Sequence, residues 1–211
     1  MEKNNNKYYQ IARTDIAELV PMECKKILEV GCGYGSLGGI LKSRVGVEID
    51  GIEINGDAAP FLAKNYRKFW INSVEDLSLP EYIGHYDCII FPDVLEHLVD
   101  PWKTLTKYTQ YLSTNGVIIA SIPNIRNLGI IYRLLLQGRW AYGESGILDK
   151  THLRFFTRNE IESLFTDAGL QIEEIKTNRD RYSLLRQALT LIPRMLIPDL
   201  GVCQFLIRAK K

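Results

Sequence analysis

The stretch Glu29-Val30-Gly31-Cys32-Gly33-Tyr34-Gly35 decides the fold. It lies between a short β-prone run, Lys26 to Val30, and a helical stretch with Leu37, Ile40 and Leu41 apolar, so it reads as strand, glycine turn, helix. Glycine lets the backbone turn with positive φ and lets a ligand approach the main chain, while the helix behind it presents unpaired N–H groups. A G-x-G-x-x-G loop aims such groups at a pyrophosphate. Here the spacing differs, and Glu29 adds a carboxylate where a phosphate would be repelled. A ligand with cationic groups suits the turn better; a purely structural tight turn is the plain alternative.

Outward from this turn, strands and helices alternate. A second β-prone stretch runs from Val45 to Ile54, a helix from about Asp57 to Phe69, and a short third strand from Phe69 to Ile71. Cys88 to Phe91 is a continuous apolar run, as expected of a central strand buried on both faces. Asp100 offers an N-cap with Pro101 at the first helical position, for a helix to about Leu112 and a turn at Asn115-Gly116. Val117 to Ile122 is the fifth strand. Thr157 and Glu160 form a capping-box pattern opening a helix that ends at Gly169, and Leu170 to Ile175 and Val202 to Ile207 supply two late strands. Such alternation implies an α/β fold, a parallel sheet with helices on both faces.

One domain is expected over 1–211, with three additions. An N-terminal helical cap spans 1–25, its helix running from Ile11 to Val20 and stopped by Pro21. An insertion from Asn124 to His152 follows strand five, where long additions at the carboxyl edge of such a sheet build the substrate site. The third is the apolar and basic stretch Tyr182 to Pro198, which suits a lid or homodimer helix, with weak membrane-surface contact as the alternative.

Composition narrows the function. The 211 residues are 46% apolar and 24% charged, which is globular. A net charge of +1 supplies no global field for gripping nucleic acid. The charge is uneven: Lys176 to Lys211 hold 8 basic and 2 acidic residues. Cys24, Cys32, Cys88 and Cys203 form no C-x-x-C pair and have no His at zinc-ligand spacing, so no structural metal site and no disulfide framework is expected; no metal is required, with a Mg²⁺ site that includes Asp93, Glu96 and His97 as the minor alternative. Scattered thiols, a polar N-terminus and the lack of any long apolar run lead us to expect a cytoplasmic protein without a transmembrane segment.

Two clusters carry the chemistry. Glu48, Asp50 and Glu53 lie near the end of the second strand, where a carboxylate about 20 residues past a glycine loop holds ribose hydroxyls. Spacing does not choose between Asp50 and Glu53; Glu53 is favoured because Gly51-Ile52-Glu53-Ile54 ends the strand just before a helix. The second cluster, Asp93-Val94-Leu95-Glu96-His97-Leu98, follows the buried fourth strand. His97 suits general-base work, although a histidine at such a junction also serves to cap a backbone group. In the insertion, Tyr142, Asp149, His152 and Arg154 are candidate acceptor contacts, with Arg154 suited to a carboxylate or phosphate and His152 a second candidate base. Phe155 and Phe156 read as core.

Ile27 to Gly35, Gly51 to Asn55, Tyr86 to Leu98, Asn115 to Asn124 and Leu148 to Thr157 together resemble the class I S-adenosylmethionine (SAM)-dependent methyltransferase family, in particular its small bacterial branch of ubiquinone-biosynthesis-type and surface-glycan-type enzymes. The resemblance covers about two thirds of the chain in the family's order. It implies a Rossmann-like, seven-stranded, mostly parallel sheet with the last strand antiparallel. It also implies methyl transfer from SAM, leaving S-adenosylhomocysteine, to a small-molecule or glycan-type acceptor, with oxygen the expected methylated atom. Glu29, Gly31, Cys32, Gly33 and Gly35 would line the methionine half, Glu53 and Ile54 the ribose, Ser73, Val74 and Glu75 the adenine, and Asp93 and Val94 the methionine amine. The family commonly has an acid where Ser73 stands, so adenine contact there falls to a hydroxyl, to backbone or to Glu75. An NAD-dependent oxidoreductase on the same fold and a non-catalytic SAM-binding regulator are the competing readings.

Overall fold

A computed structural model of the chain describes residues 13–179 and 198–211. Seven strands form one sheet: β1 (Lys26–Val30), β2 (Glu48–Glu53), β3 (Lys68–Ile71), β4 (Tyr86–Pro92), β5 (Leu112–Pro123), β6 (Gln171–Arg179) and β7 (Val202–Lys210), in the order β3-β2-β1-β4-β5-β7-β6. The pairs among β1 to β5 are parallel, and β7 runs antiparallel to both β5 and β6. The order reverses at β1 and β4, where doubly wound sheets open a crevice at their carboxyl edge.

Strand alternation builds two cores. Leu28 and Val30 of β1 with Ile89 and Phe91 of β4 pack into one apolar cluster, while Ile27, Cys88 and Ile90 pack into the other. Helices α1 (Thr14–Ala17), α2 (Ser36–Lys42) and α3 (Ala59–Asn65) cover the second cluster through Ile16, Leu37, Leu41 and Leu62. Helices α4 (Pro101–Thr109) and α6 (Arg158–Asp167) cover the first through Leu105, Tyr108, Ile161, Leu164 and Phe165. As expected, Asp100 caps α4 by accepting from the Lys103 N–H at 2.9 Å, with Pro101 next. Helix α5 (Leu128–Gln137), capped by Asn127, follows β5 and has no buried residue.

Several boundaries differ from the sequence expectation, and the helix expected to run to about Leu112 ends at Thr109. Asn115-Gly116 is not a turn: β5 starts at Leu112, and Gly116 lies inside it, where a Cβ would sit 3.0 Å from the Tyr86 carbonyl oxygen. The second strand starts at Glu48 rather than Val45, and the helix expected to reach Phe69 ends at Asn65. Of the N-terminal cap, residues 1–12 lie outside the described part, which contributes the single turn α1. The expected helix from Tyr182 to Pro198 also lies outside it, Pro198 excepted. None of the four cysteines is in a disulfide. Among the described residues, no helix is long and apolar enough to cross a membrane.

Candidate functional site

The glycine turn leaves β1 at the carboxyl edge and folds against β2. Gly31, Gly33 and Gly35 all have positive φ, and the Gly31 N–H donates to the Ile52 carbonyl at 2.7 Å. Glu53, at the end of β2, accepts from the Gly33 N–H at 2.7 Å through one oxygen, and from the Ile54 and Asn55 N–H groups at 3.0 and 2.9 Å through the other. A shallow crevice lined by Gly33, Tyr34, Glu53, Asn55 and Ala58 opens there. Asp50, further back along β2, is committed elsewhere: its 1%-exposed carboxylate accepts from Arg67 and from the Tyr86 hydroxyl at 3.0 Å.

Glu29 and Cys32 sit beneath the turn. The Glu29 carboxyl is 2% exposed and accepts from the Tyr66 hydroxyl at 2.7 Å. Burial pushes it up to about 8, with Glu53 adding to the rise and the Tyr66 bond opposing it. Near neutrality it is therefore mostly the neutral acid, and the fixed negative charge that the sequence placed at the turn is not supplied by this residue. Cys32 is buried, its thiol 3.4 Å from the Ile52 carbonyl oxygen.

The loop after β3 is tightly braced. Ser73 Oγ accepts from the Glu75 N–H at 3.2 Å, and Lys107 donates to the carbonyls of Val74, Glu75 and Leu77. Both Glu75 oxygens accept backbone N–H groups, from Val99 at 3.2 Å and Asp100 at 2.8 Å, which ties this loop to the one after β4. Glu75 is thus occupied as a brace, and Val74, 8% exposed, offers an apolar wall.

At the end of β4 the backbone is held in an unusual conformation. Asp93 has φ 55°, the only positive φ outside glycine among the described residues. Its N–H donates to Ser121 Oγ at 2.9 Å, the Ser121 hydroxyl donates to its carboxylate at 2.9 Å, and Gln204 and Arg13 donate to the same carboxylate. Val94 then packs onto Gly31. Arg13, Tyr66, Ser121 and Gln204 are site residues that sequence patterns do not single out.

The two histidines expected to act in catalysis are brought together. The rings of His97 and His152 lie 4.7 Å apart and nearly perpendicular. Glu96 joins them: one polar atom from each of the three residues lies within 4.8 Å of the other two, a grouping that could hold a cation. Burial, against the opposing bond to Ile147, holds the His152 ring below its ordinary value. The acceptor candidates are partly engaged in structure. Arg154 donates to the Val99 carbonyl and lies over the Trp102 ring, Asp149 accepts from the Thr151 N–H and hydroxyl, and Tyr142 is exposed beside Phe155. Of the two phenylalanines read as core, Phe156 is buried and Phe155 is not.

Comparison with known proteins identifies the family and the fold. A methyltransferase domain model matches residues 4–175. The chain belongs to that methyltransferase family. A ubiquinone biosynthesis O-methyltransferase from Nitrosospira multiformis is 30% identical over 172 residues, covering 72% of this chain and 64% of that protein. One from Rickettsia typhi is 26% identical over 161 residues, covering 72% and 62%. The chain thus spans a little under two thirds of the length of these methyltransferase relatives. Among solved structures, a SAM-dependent methyltransferase from Archaeoglobus fulgidus aligns with TM-score 0.68 at 17% identity, covering 96% of this chain and 94% of that one. A Burkholderia thailandensis 1,6-didemethyltoxoflavin-N1-methyltransferase with bound S-adenosylhomocysteine aligns with TM-score 0.62 at 15% identity, covering 96% and 77%. These two share the fold.

Proposed function

We propose that the chain is a SAM-dependent methyltransferase acting on an oxygen of a small-molecule or glycan-type acceptor. The observation that carries this is the bare backbone of Gly31 to Gly35 closing on Glu53 at the point where the sheet order reverses. Glu53 takes the ribose hydroxyls, exchanging its backbone donors for them, and Val74 covers the adenine. Asp93 faces the methionine ammonium, and Arg13, the cation at that carboxylate, suits the methionine carboxylate. The family membership and the O-methyltransferase relatives support the reading, and they leave the oxidoreductase alternative without support.

SAM supplies a methyl group on a positively charged sulfur. Bound there, SAM would offer that methyl carbon to the acceptor oxygen and leave as the neutral thioether, while the hydroxyl proton would pass to the imidazole of His152 or His97. Alignment of the three atoms is the protein's main task and contributes about 7 to 11 kcal/mol. The loops after β1 and β4, locked by Val94 on Gly31, fix one side of that line. His152 or His97 takes the proton, a role that supplies about 10² to 10⁴ in rate.

Calorimetric titration tests the site. S-adenosylhomocysteine is expected to bind, and Glu53→Ala to weaken it by about 10- to 100-fold, the loss of a charged hydrogen-bonding pair. Asp50→Asn, measured below its melting temperature, is expected to leave affinity unchanged because Asp50 serves Arg67 and Tyr86. Equal affinity in Glu53→Ala and wild type would remove the ribose assignment; binding of NAD in place of the nucleoside would remove the function. Transfer of labelled methyl from SAM to an extract fraction then separates an enzyme from a silent binder.

A further inference from the structure

Glu96 sits in a short turn, Leu95–His97, directly after β4 and is 1% exposed, yet neither of its carboxyl oxygens has a hydrogen-bond partner. Its backbone carbonyl accepts from the N–H groups of Leu153 and Arg154 at 2.8 and 2.9 Å, which joins the turn to the segment bearing His152. His97 Nδ1 lies 3.1 Å from the Thr151 carbonyl oxygen, and His152 Nδ1 lies 3.0 Å from that of Ile147. A carbonyl only accepts, so each Nδ1 carries the hydrogen, and each neutral ring keeps a bare lone pair at Nε2. One ring nitrogen of each histidine and the Glu96 carboxyl thus lie within 4.8 Å of one another, and no neighbouring side chain donates to the carboxyl.

Such a set is one proton short. An ionised carboxylate buried without a side-chain donor is heavily penalised. Its own backbone N–H and Arg13 favour the ion, but burial and Asp93 outweigh them, Asp149 adds to the opposition, and Arg13 is already shared between Asp15 and Asp93. We propose that Glu96 is a neutral acid that positions the His97–His152 pair by donating its proton to the imidazole Nε2 that faces it. The donation requires the Glu96 side chain to move toward the ring, since neither oxygen is within hydrogen-bond distance of a partner as it stands. One ring is then fixed as acceptor from Glu96, and the other keeps its lone pair for the acceptor hydroxyl. Glu96 is a positioning residue, and its role rests on the proposed reading of the histidines as base. Burial and Asp93, which push the Glu96 carboxyl well up, point the same way.

Glutamine and leucine at this position separate the possibilities. A glutamine amide donates an N–H as the neutral acid does; it cannot act as an anion, and its neutral oxygen holds a divalent cation far more weakly than a carboxylate does. The sequence has three histidines, so ring nitrogen NMR resolves His97 and His152 once a His85→Ala sample assigns the third. In full-length, ligand-free protein, the wild type and Glu96→Gln are expected to show both rings protonated at Nδ1 with one Nε2 hydrogen-bonded, and Glu96→Leu to lose that bond. Infrared spectra at pH 7, taken in a Glu29→Gln background so that Glu29 gives no acid band, are expected to show a buried carboxylic-acid carbonyl band that Glu96→Gln removes. With labelled SAM, Glu96→Gln is expected to keep turnover within about threefold, and Glu96→Leu to lose about tenfold or more in kcat with KM for SAM unchanged, a part of what a base supplies. Absence of the acid band, a Glu96→Gln as impaired as Glu96→Leu, or Zn²⁺ or Mg²⁺ shifting both ring signals stoichiometrically as the band disappears would each overturn the proposal. A wild type that binds S-adenosylhomocysteine but transfers no methyl would count against the enzyme reading alone, since the two spectroscopic readouts need no turnover. The infrared comparison also stands if the leucine variant does not fold.

Discussion

Glu29→Gln is expected to melt close to the wild type near pH 5 and well above it near pH 9. The carboxyl at the end of β1 is buried with the Tyr66 hydroxyl as its one hydrogen-bond donor, and burial raises it from 4.5 to about 8. Between those two values the folded chain holds a proton that the unfolded chain has released. The unfolded state therefore binds fewer protons, and stability falls as pH rises through the window, by about 1.4 kcal/mol per unit at its steepest. The contribution is complete below the unfolded value and lost once pH passes the folded one. Across the window this amounts to a few kcal/mol, a large share of the ~5–15 kcal/mol that holds a domain folded. Glutamine removes the titration, keeps the shape and still accepts from Tyr66; its amide hydrogens, lacking a partner, cost about 1 kcal/mol at low pH. Thermal melts from pH 5 to pH 9 check this, and profiles that run parallel for the two proteins would show that Glu29 is ionised throughout. The consequence for function is that the acid braces the turn from below, while the groups that face a cationic ligand are Glu53 and Asp93.

This division of labour marks the limit of what the sequence discloses. The strand, turn and first helix are legible because a short β-prone run, glycines and a 3.6-residue apolar pattern succeed one another without interruption; β1 occupies Lys26–Val30, as read. The antiparallel β7 comes from the resemblance, since it leaves no local trace, and the reversal of strand order shows only in the folded sheet. Helix α3 stops early for a tertiary reason: Tyr66 must leave the helix to reach Glu29, and the next residue, Arg67, to reach Asp50. Leu112 to Asn115 join β5 through pairing of Leu112 with Tyr86, which overrides the turn signal of Asn115-Gly116. Within the site, Glu53 and the glycines announce themselves by spacing. The partners of Asp93 do not: Arg13, Ser121 and Gln204 come from a terminal segment and two different strands, 80, 28 and 111 positions away, and only the folded sheet puts them at one carboxylate. In the sequence Glu96 is one more edge acid, and its lack of any donor is a property of packing alone.

Gly31→Ala is expected to abolish measurable nucleoside binding and to lower the melting temperature by roughly 5 to 15 °C, the sum of a backbone cost and a packing cost at about 2 to 4 °C per kcal/mol. Gly31 has φ +71°, which an L side chain adopts at a cost of about 1–2 kcal/mol. A Cβ here would also overlap Val94 Cγ2, closer than any packed pair tolerates, so the loop after β4 must retreat. Overpacking of this kind costs a further ~1–3 kcal/mol. The two costs can be separated. Gly84 has a similar φ of +67°, and a Cβ added there would meet nothing within 4 Å, so Gly84→Ala carries the backbone cost alone and should bind S-adenosylhomocysteine normally. Val94→Ala in the Gly31→Ala background removes the obstructing methyl and should recover part of both stability and affinity, whereas Val94→Ala alone should only lose packing. A cycle of these variants measures the contact between the loops after β1 and β4 directly. Equal destabilisation by Gly31→Ala and Gly84→Ala, with no recovery in the double variant, would mean that the loops are not coupled through this contact. Alignment of methyl donor and acceptor would then have to come from elsewhere, since those two loops are what hold Asp93 and the histidine turn over the bare backbone of the first.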